Sequence, residues 1–147
     1  MKGREDERED GRENGGIAIE AAILVPAILL FVLLAVGAGR IESAGGVVDA
    51  AARDAARSAS IARTAAAAQA AAENAARTTL SQQGVDCPDV QPQVDTSGLD
   101  AQLGQTGYIT VTVVCTVPLG DLMVPGLPGS HTMKSTFTSV VDAYRAR

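Results

Sequence analysis

The stretch that decides the fold is "GGIAIEAAILVPAILLFVLLAVGAG", residues 15–39, because it is apolar over most of its length. Residues 21–39 are nineteen residues without a charge. As a helix they would span roughly 28 Å, close to the hydrocarbon thickness of a bilayer. We therefore predict a transmembrane helix at residues 17–39. One acid, Glu20, stands near its start, and an ionised carboxylate inside a bilayer costs on the order of 2.5 kcal/mol unless it is paired or reaches the headgroups.

The residues before this run, "MKGREDEREDGRENGG" (1–16), carry many charges of both signs. Their composition predicts a disordered, charged leader. Basic residues are slightly more frequent before the apolar run than after it, which favours a cytoplasmic amino terminus. A cleaved secretory signal is the alternative, since Val36 and Ala38 would suit a signal peptidase. The mixed leader charge and the length of the apolar run argue against it.

Alanine dominates the segment after the membrane run. It makes up 16 of the 28 residues from 50 to 77, and it is the best helix former. We predict that the transmembrane helix continues into an extracytoplasmic Ala-rich helix over residues 40–84, nearly unbroken to Leu80 and ended by Gly84. Its small side chains would let neighbouring helices approach closely, which suits packing between subunits.

The last segment, residues 85–147, changes to a period of two. "YITVTVVCTVPL" (108–119) and "HTMKSTFTSVVDAY" (131–144) alternate in the manner of strands. The sequence "VQPQVD" (90–95) predicts a short third strand. A sheet this small needs the helix to cover one face. The predicted fold class is α+β: a transmembrane helix, a long Ala-rich helix, and a small antiparallel β head at residues 85–147.

The two cysteines, Cys87 and Cys115, form no CxxC motif, and His131 is the single histidine. A zinc site needs four ligands and a redox pair needs close spacing, so neither is expected. A disulfide on the outer side of the membrane fits better. Two unrelated buried thiols are the alternative.

Several functional classes fit poorly. The net charge of −5 and the lack of a basic patch with aromatic residues argue against nucleic-acid binding. His131 has no partners that would complete a catalytic set, and the loop "LGDLMVPGLPGS" is not followed by a phosphate-binding helix. We therefore expect neither an enzyme nor a cofactor or metal.

The start of the apolar run resembles a known signature. Gly15 and Glu20 have the spacing found in type IV pilin-like proteins, and Glu20, Ala22 and Pro26 follow the pattern of the TadE-like (tight adherence) pilus-assembly family. The segment "DAAARDAARSAS" (49–60) is similar to the Ala/Arg helix of that family, and the ending "SVVDAYRAR" is similar to actinobacterial members.

The resemblance implies a minor pseudopilin-like structural or assembly component of a tight-adherence-type pilus or secretion system. It implies a cell-membrane location, single-pass, with a cytoplasmic amino terminus. The implied partners are the membrane, other pilin-like subunits through helix packing, and a prepilin peptidase that would cut beside Gly15 and Gly16. Cleavage after Gly15 makes Glu20 the fifth residue of the mature chain, and cleavage after Gly16 makes it the fourth. The alternative function is a generic single-pass or secreted envelope protein acting as a binding module.

A physical role for Glu20 can be stated from its chemistry. Removing a leader creates a cationic α-amino group at the membrane interface, and a nearby carboxylate can neutralise it. In an assembly of parallel helices, Glu20 of one subunit would meet the amine of its neighbour and set the helix register. Pro26, inside the apolar run, removes one backbone hydrogen bond. The alternative is that Glu20 only reaches the cytoplasmic headgroups.

Overall fold

The computed structural model describes residues 3–102, 104–122 and 128–144, with side chains from residue 19 onward except that of Leu122. The chain divides into two compact units, here called the amino-terminal unit (Met1–Ala38) and the carboxyl-terminal unit (Gly39–Arg147). The helices are α1 (Gly3–Ser60), α2 (Ala65–Gln82) and the short α3 (Leu119–Leu122), and the strands are β1 (Gln93–Asp95), β2 (Gly107–Pro118) and β3 (Ser130–Val141). The α+β class is confirmed.

Helix α1 is longer at its start than the sequence predicted. It begins at Gly3, so most of the leader, expected to be disordered, has helical backbone. Glu and Arg, which are frequent in the leader, are good helix formers, and each residue added to an existing helix gains one backbone hydrogen bond. Pro26 lies inside α1, and the helix also passes through Gly45 and Gly46 without a break.

The Ala-rich region is two helices, so the prediction of one nearly unbroken helix to Leu80 is wrong. α1 ends at Ser60, whose hydroxyl donates a hydrogen bond to the carbonyl of Arg57 at 2.8 Å. α2 then begins after Thr64, an N-cap with extended backbone whose hydroxyl accepts a hydrogen bond from the backbone N–H of Ala67. Serine and threonine side chains that bond to nearby backbone favour helix ends over helix interiors.

The end of α2 is close to the predicted position. The helix stops at Gln82, and the backbone N–H of Val85 donates back to the carbonyl of Leu80 at 3.0 Å. Gly84 has a φ of 72°, a left-handed conformation that glycine adopts without steric cost and that commonly ends helices.

The three strands form one antiparallel sheet in the order β1-β2-β3. β2 and β3 pair along their whole length, from Gly107 opposite Val141 to Pro118 opposite Ser130. β1 pairs with residues 110–112 of β2. Along β2 the odd-numbered side chains from Ile109 to Val117 are buried, whereas the even-numbered ones are half-buried or exposed. The predicted strands and their alternation are therefore confirmed.

The core of the carboxyl-terminal unit lies between the inner face of this sheet and the two helices. Most of the buried helical side chains are alanines, including several of zero exposure in α1: Ala51, Ala52, Ala55, Ala56 and Ala59. They form one cluster with buried valines and isoleucine of the sheet. The small side chains of this part of α1 therefore serve packing within the chain, and their packing between subunits stays a prediction.

Candidate functional site

The apolar part of the amino-terminal unit is exposed along its length. Large apolar side chains from Ile19 to Val36 are exposed by 49% to 72%. A soluble protein rarely leaves a continuous apolar helix surface uncovered. α1 from Ile19 onward is the single helix among the described residues that is long and apolar enough to cross a membrane. It indicates a single-pass membrane protein, and its exposed side chains are available to lipid or to other helices.

The predicted site residues Gly15, Gly16, Glu20, Ala22 and Pro26 all lie in α1. At 100° per residue, Gly16 and Glu20 fall on nearly the same side of the helix, because they are four residues apart. Ala22 and Pro26 are also four residues apart, and they lie about 160° and about 120° around the helix from Glu20. The motif therefore directs its acid and its proline to different sides of the helix, and the Glu20 side chain is exposed.

Pro26 changes the hydrogen bonding of the helix at Ala22. In an α-helix the carbonyl of Ala22 would accept from the N–H of residue 26, and proline has no N–H. Such a carbonyl inside a bilayer needs another donor, for which neighbouring helices, side chains or water are the usual sources. The opposite side of the helix from Glu20 thus carries a backbone acceptor.

The two cysteines are joined, and the disulfide prediction is confirmed. The Cα atoms of Cys87 and Cys115 lie 5.5 Å apart. Cys115 is on β2 and 1% exposed, whereas Cys87 is half-buried in the segment that follows α2. The bond therefore ties this segment to the central strand, and the alternative of two unrelated thiols is wrong.

Side chains of α2 hold the same segment by hydrogen bonds that the sequence pattern did not predict. Gln69 Nε2 donates to the carbonyl of Pro92 at 2.7 Å, and Arg77 donates to the carbonyl of Val90 at 3.2 Å. Arg77 also forms an ion pair with Glu73 at 2.9 Å. The spacing of Glu73 and Arg77 was the available signal, since residues four apart on a helix are neighbours.

The outer face of the sheet carries paired threonines. Hydroxyl–hydroxyl hydrogen bonds join Thr110 to Thr138 and Thr112 to Thr136 at 2.9 Å each, and Thr116 to Thr132 at 3.0 Å. Alternate threonines in both strand sequences were the signal for this arrangement. On β1, the carboxylate of Asp95 accepts a hydrogen bond from the backbone N–H of Ser97 at 3.0 Å, and this bond lowers the pKa of Asp95 below its ordinary value.

The comparisons with known proteins agree with the resemblance seen in the sequence. The family model described as "TadE-like protein" matches residues 15–57. This range contains the glycine pair, Glu20, Ala22 and Pro26. No curated protein and no solved structure matches the chain at a significant level. The match confirms the TadE-like resemblance and supports involvement in tight-adherence pilus assembly.

Proposed function

We propose that this TadE-like chain is a minor pseudopilin-like structural or assembly component of a tight-adherence-type pilus or related secretion machine. The observation that carries the proposal is the position of Glu20 at the start of an exposed apolar helix, inside the segment that matches the family model. The match of residues 15–57 to the model described as "TadE-like protein" supports a structural role in assembly.

The disulfide supports a single-pass topology with the amino terminus in the cytoplasm. Disulfides persist outside the reducing cytosol, and Cys87 and Cys115 are both in the carboxyl-terminal unit. This unit then lies on the extracytoplasmic side of the membrane. The leader, which precedes the membrane helix, lies on the cytoplasmic side.

The geometry of α1 favours cleavage of the leader next to Gly15 and Gly16. A peptidase must unfold the helix locally to reach the bond, and each glycine weakens a helix by about 1 kcal/mol relative to alanine. Cleavage after Gly15 leaves the new α-amino group on Gly16, one helical turn from Glu20 and on the same side of α1. The amine and the carboxylate then lie on one side of the helix at the membrane interface, where each can meet the opposite charge of a neighbouring subunit.

Between parallel subunits the same two groups would set the axial register. The Glu20 carboxylate of one helix would meet the α-amino group of its neighbour, so that neither charge remains unpaired at the edge of the bilayer. The opposite side of α1, with the freed carbonyl of Ala22, would offer an acceptor to another helix. The partners proposed here are therefore other pilin-like subunits, together with the membrane and a prepilin peptidase.

Intact mass spectrometry of the protein isolated from the cell envelope tests processing. We expect a chain that begins at Gly16 if the peptidase cuts after Gly15, or at Ile17 if it cuts after Gly16. A chain that begins near Gly39 would show a secreted protein and overturn the proposal. An uncleaved chain would remove the role of the new α-amino group.

Replacement of Glu20 tests the role of its charge. The variant Glu20→Gln keeps the shape of the side chain and removes the charge, so we expect normal membrane insertion and reduced recovery in crosslinked pilin-like assemblies. Glu42→Gln is the matched control, because Glu42 is exposed on the same helix but outside the apolar run. Equal recovery of both variants would show that Glu20 only reaches the headgroups.

A further inference from the structure

Both outer strands of the sheet, β1 and β3, have one side without a strand partner among the described residues. β3 is an outer strand of 12 residues, and its described backbone pairing is with β2 alone. On the other side of such a strand, every second residue directs its N–H and C=O groups outward, where they can pair with another strand.

The two edges of the sheet differ in how they are protected. β1, at the opposite edge, has three residues, follows Pro92 and contains the charged Asp95. Short strands, prolines and charges are the usual means by which proteins prevent edge pairing. β3 has no proline, and Lys134 is its single charge when His131 is neutral. β3 is therefore the longer of the two outer strands and the less protected against pairing with a partner strand.

We propose that β3 pairs antiparallel with β3 of a second copy of this chain, so that the two sheets join edge to edge across a two-fold axis. The sequence of β3 matches a second, antiparallel copy of itself. On the outer face of the sheet, threonines of β2 lie opposite threonines of β3 at three positions. The same threonines of β3 can lie opposite threonines of a second β3. This pairing does not depend on the proposed pilus function.

A two-fold axis at Ser135 gives a favourable register. It places Thr132 opposite Thr138 of the second copy on the outer face, and cross-strand threonine pairs stabilise antiparallel sheets. On the inner face it places Met133 opposite Phe137, a favourable contact of sulfur with an aromatic ring. Moving the axis by one residue to Lys134 would set two lysines directly against each other, which destabilises a strand pair.

The inner side of β3 has room for such a neighbour. Ser135, Phe137 and Ser139 are half-buried, although the equivalent side chains of β2 are fully buried. Phe137 is covered on one side by Arg53 of α1, whose guanidinium carbon lies 5.8 Å from the ring centre. A second β3 would cover the side of these residues that faces away from β2.

Cysteine crosslinking of the full chain in its native membrane tests the register. In the double variant T132C/T138C the two positions are about 20 Å apart within one strand, too far for a bond in one chain. Across the proposed axis they face each other at about 5 Å. We expect a dimer that survives denaturing electrophoresis and is lost on reduction.

The matched control is T110C/T116C, which places cysteines at the same separation and on the same face of the central strand. We expect this variant to stay monomeric on the same gel. If neither variant gives dimers, or if both give equal amounts, β3 does not pair as proposed.

A second pair of variants tests the assembly without crosslinks. T112K and T136K remove the same hydrogen bond between Thr112 and Thr136 and add the same charge to the outer face. Only T136K places its lysine on the edge strand, opposite Lys134 of the second copy. We expect native mass spectrometry from detergent to give dimers for the wild type and T112K, and monomers for T136K. A monomeric wild type, or a complex with a different protein at this edge, would overturn the proposal.

Discussion

At the scale of single residues, one hydrogen bond joins the two helices of the carboxyl-terminal unit. The buried hydroxyl of Thr79 on α2 donates to Asp54 Oδ2 on α1 at 2.8 Å. We expect Thr79→Val to lower the free energy of unfolding by about 1 kcal/mol, the ordinary net value of a hydrogen bond, because the acceptor Asp54 is exposed to water. Thr78→Val is the control, since its hydroxyl is exposed and bonds the carbonyl of Asn74 in its own helix. Urea unfolding of the full chain in detergent measures both, and equal midpoints would contradict the role given to Thr79.

Asp95 makes stability depend on pH. The backbone N–H of Ser97, and then its side chain, stabilise the carboxylate and lower the pKa of Asp95 in the folded state. A group whose pKa is lower in the folded state stabilises the fold above its unfolded pKa of about 3.9 and loses this effect as pH falls through the folded value. We expect the advantage of the wild type over Asp95→Asn to be constant near neutral pH and to shrink below about pH 4. An NMR titration of Asp95 with an ordinary midpoint would refute this.

At the scale of elements, the start of α2 depends on one cap. The Thr64 hydroxyl accepts from the N–H of Ala67 at 3.2 Å, and loss of such a cap typically costs about 1 kcal/mol. We expect Thr64→Ala to destabilise the carboxyl-terminal unit by that amount. Thr64→Ser keeps an acceptor oxygen and should stay close to the wild type in the same unfolding experiment. If serine destabilises as much as alanine, the hydroxyl is not the cause.

Replacing each of two glycines by alanine should change the stability of the fold in opposite directions. Gly46 lies inside α1 with no atom within 4 Å of an added methyl, so Gly46→Ala should stabilise the helix by about 0.5–1 kcal/mol. At Gly98 an added methyl would collide with the backbone of Tyr108 on β2. Gly98→Ala should therefore destabilise the fold. Thermal unfolding of both variants beside the wild type checks the opposite signs, and a shift of both in one direction would contradict the argument.

At the scale of the whole molecule, the sequence predicted which helices and strands exist better than it predicted where they end. The apolar run, the alternation of Thr and Val in β2 and the alternate threonines of β3 are strong periodic signals, and the helix and both strands appear in the structure. The break at residues 61–64 depends on hydroxyl groups of Ser60 and Thr64, which is a local competition that an alanine count does not register. Likewise, alanines that suit close helix packing do not reveal whether the neighbouring element belongs to the same chain.

Some features of the candidate site could likewise be predicted from the sequence, and others could not. The disulfide was predictable because Cys87 and Cys115 have few other roles open to them, and the structure joins them. The positions of Gly15, Glu20 and Pro26 were predictable as a motif, and the family match covers them. The charge pair proposed for Glu20 could not be seen in one helix. Its proposed partner is an α-amino group on another subunit, which exists only after cleavage.

The disulfide should supply a large part of the stability of the carboxyl-terminal unit. Its core consists mostly of alanine and valine, and the bond closes a loop with a sequence separation of 28. The loop-entropy model assigns such a bond about 3.5 kcal/mol, a large share of the ordinary stability of a small domain. We expect a reducing agent to lower the urea midpoint of the full chain in detergent by an amount that corresponds to this loss. The variant Cys87→Ala/Cys115→Ala should unfold at a low midpoint that the reducing agent leaves unchanged. A wild-type midpoint that is insensitive to reduction would show that alanine packing and the hydrogen bonds of Gln69 and Arg77 hold the segment after α2 without the bond.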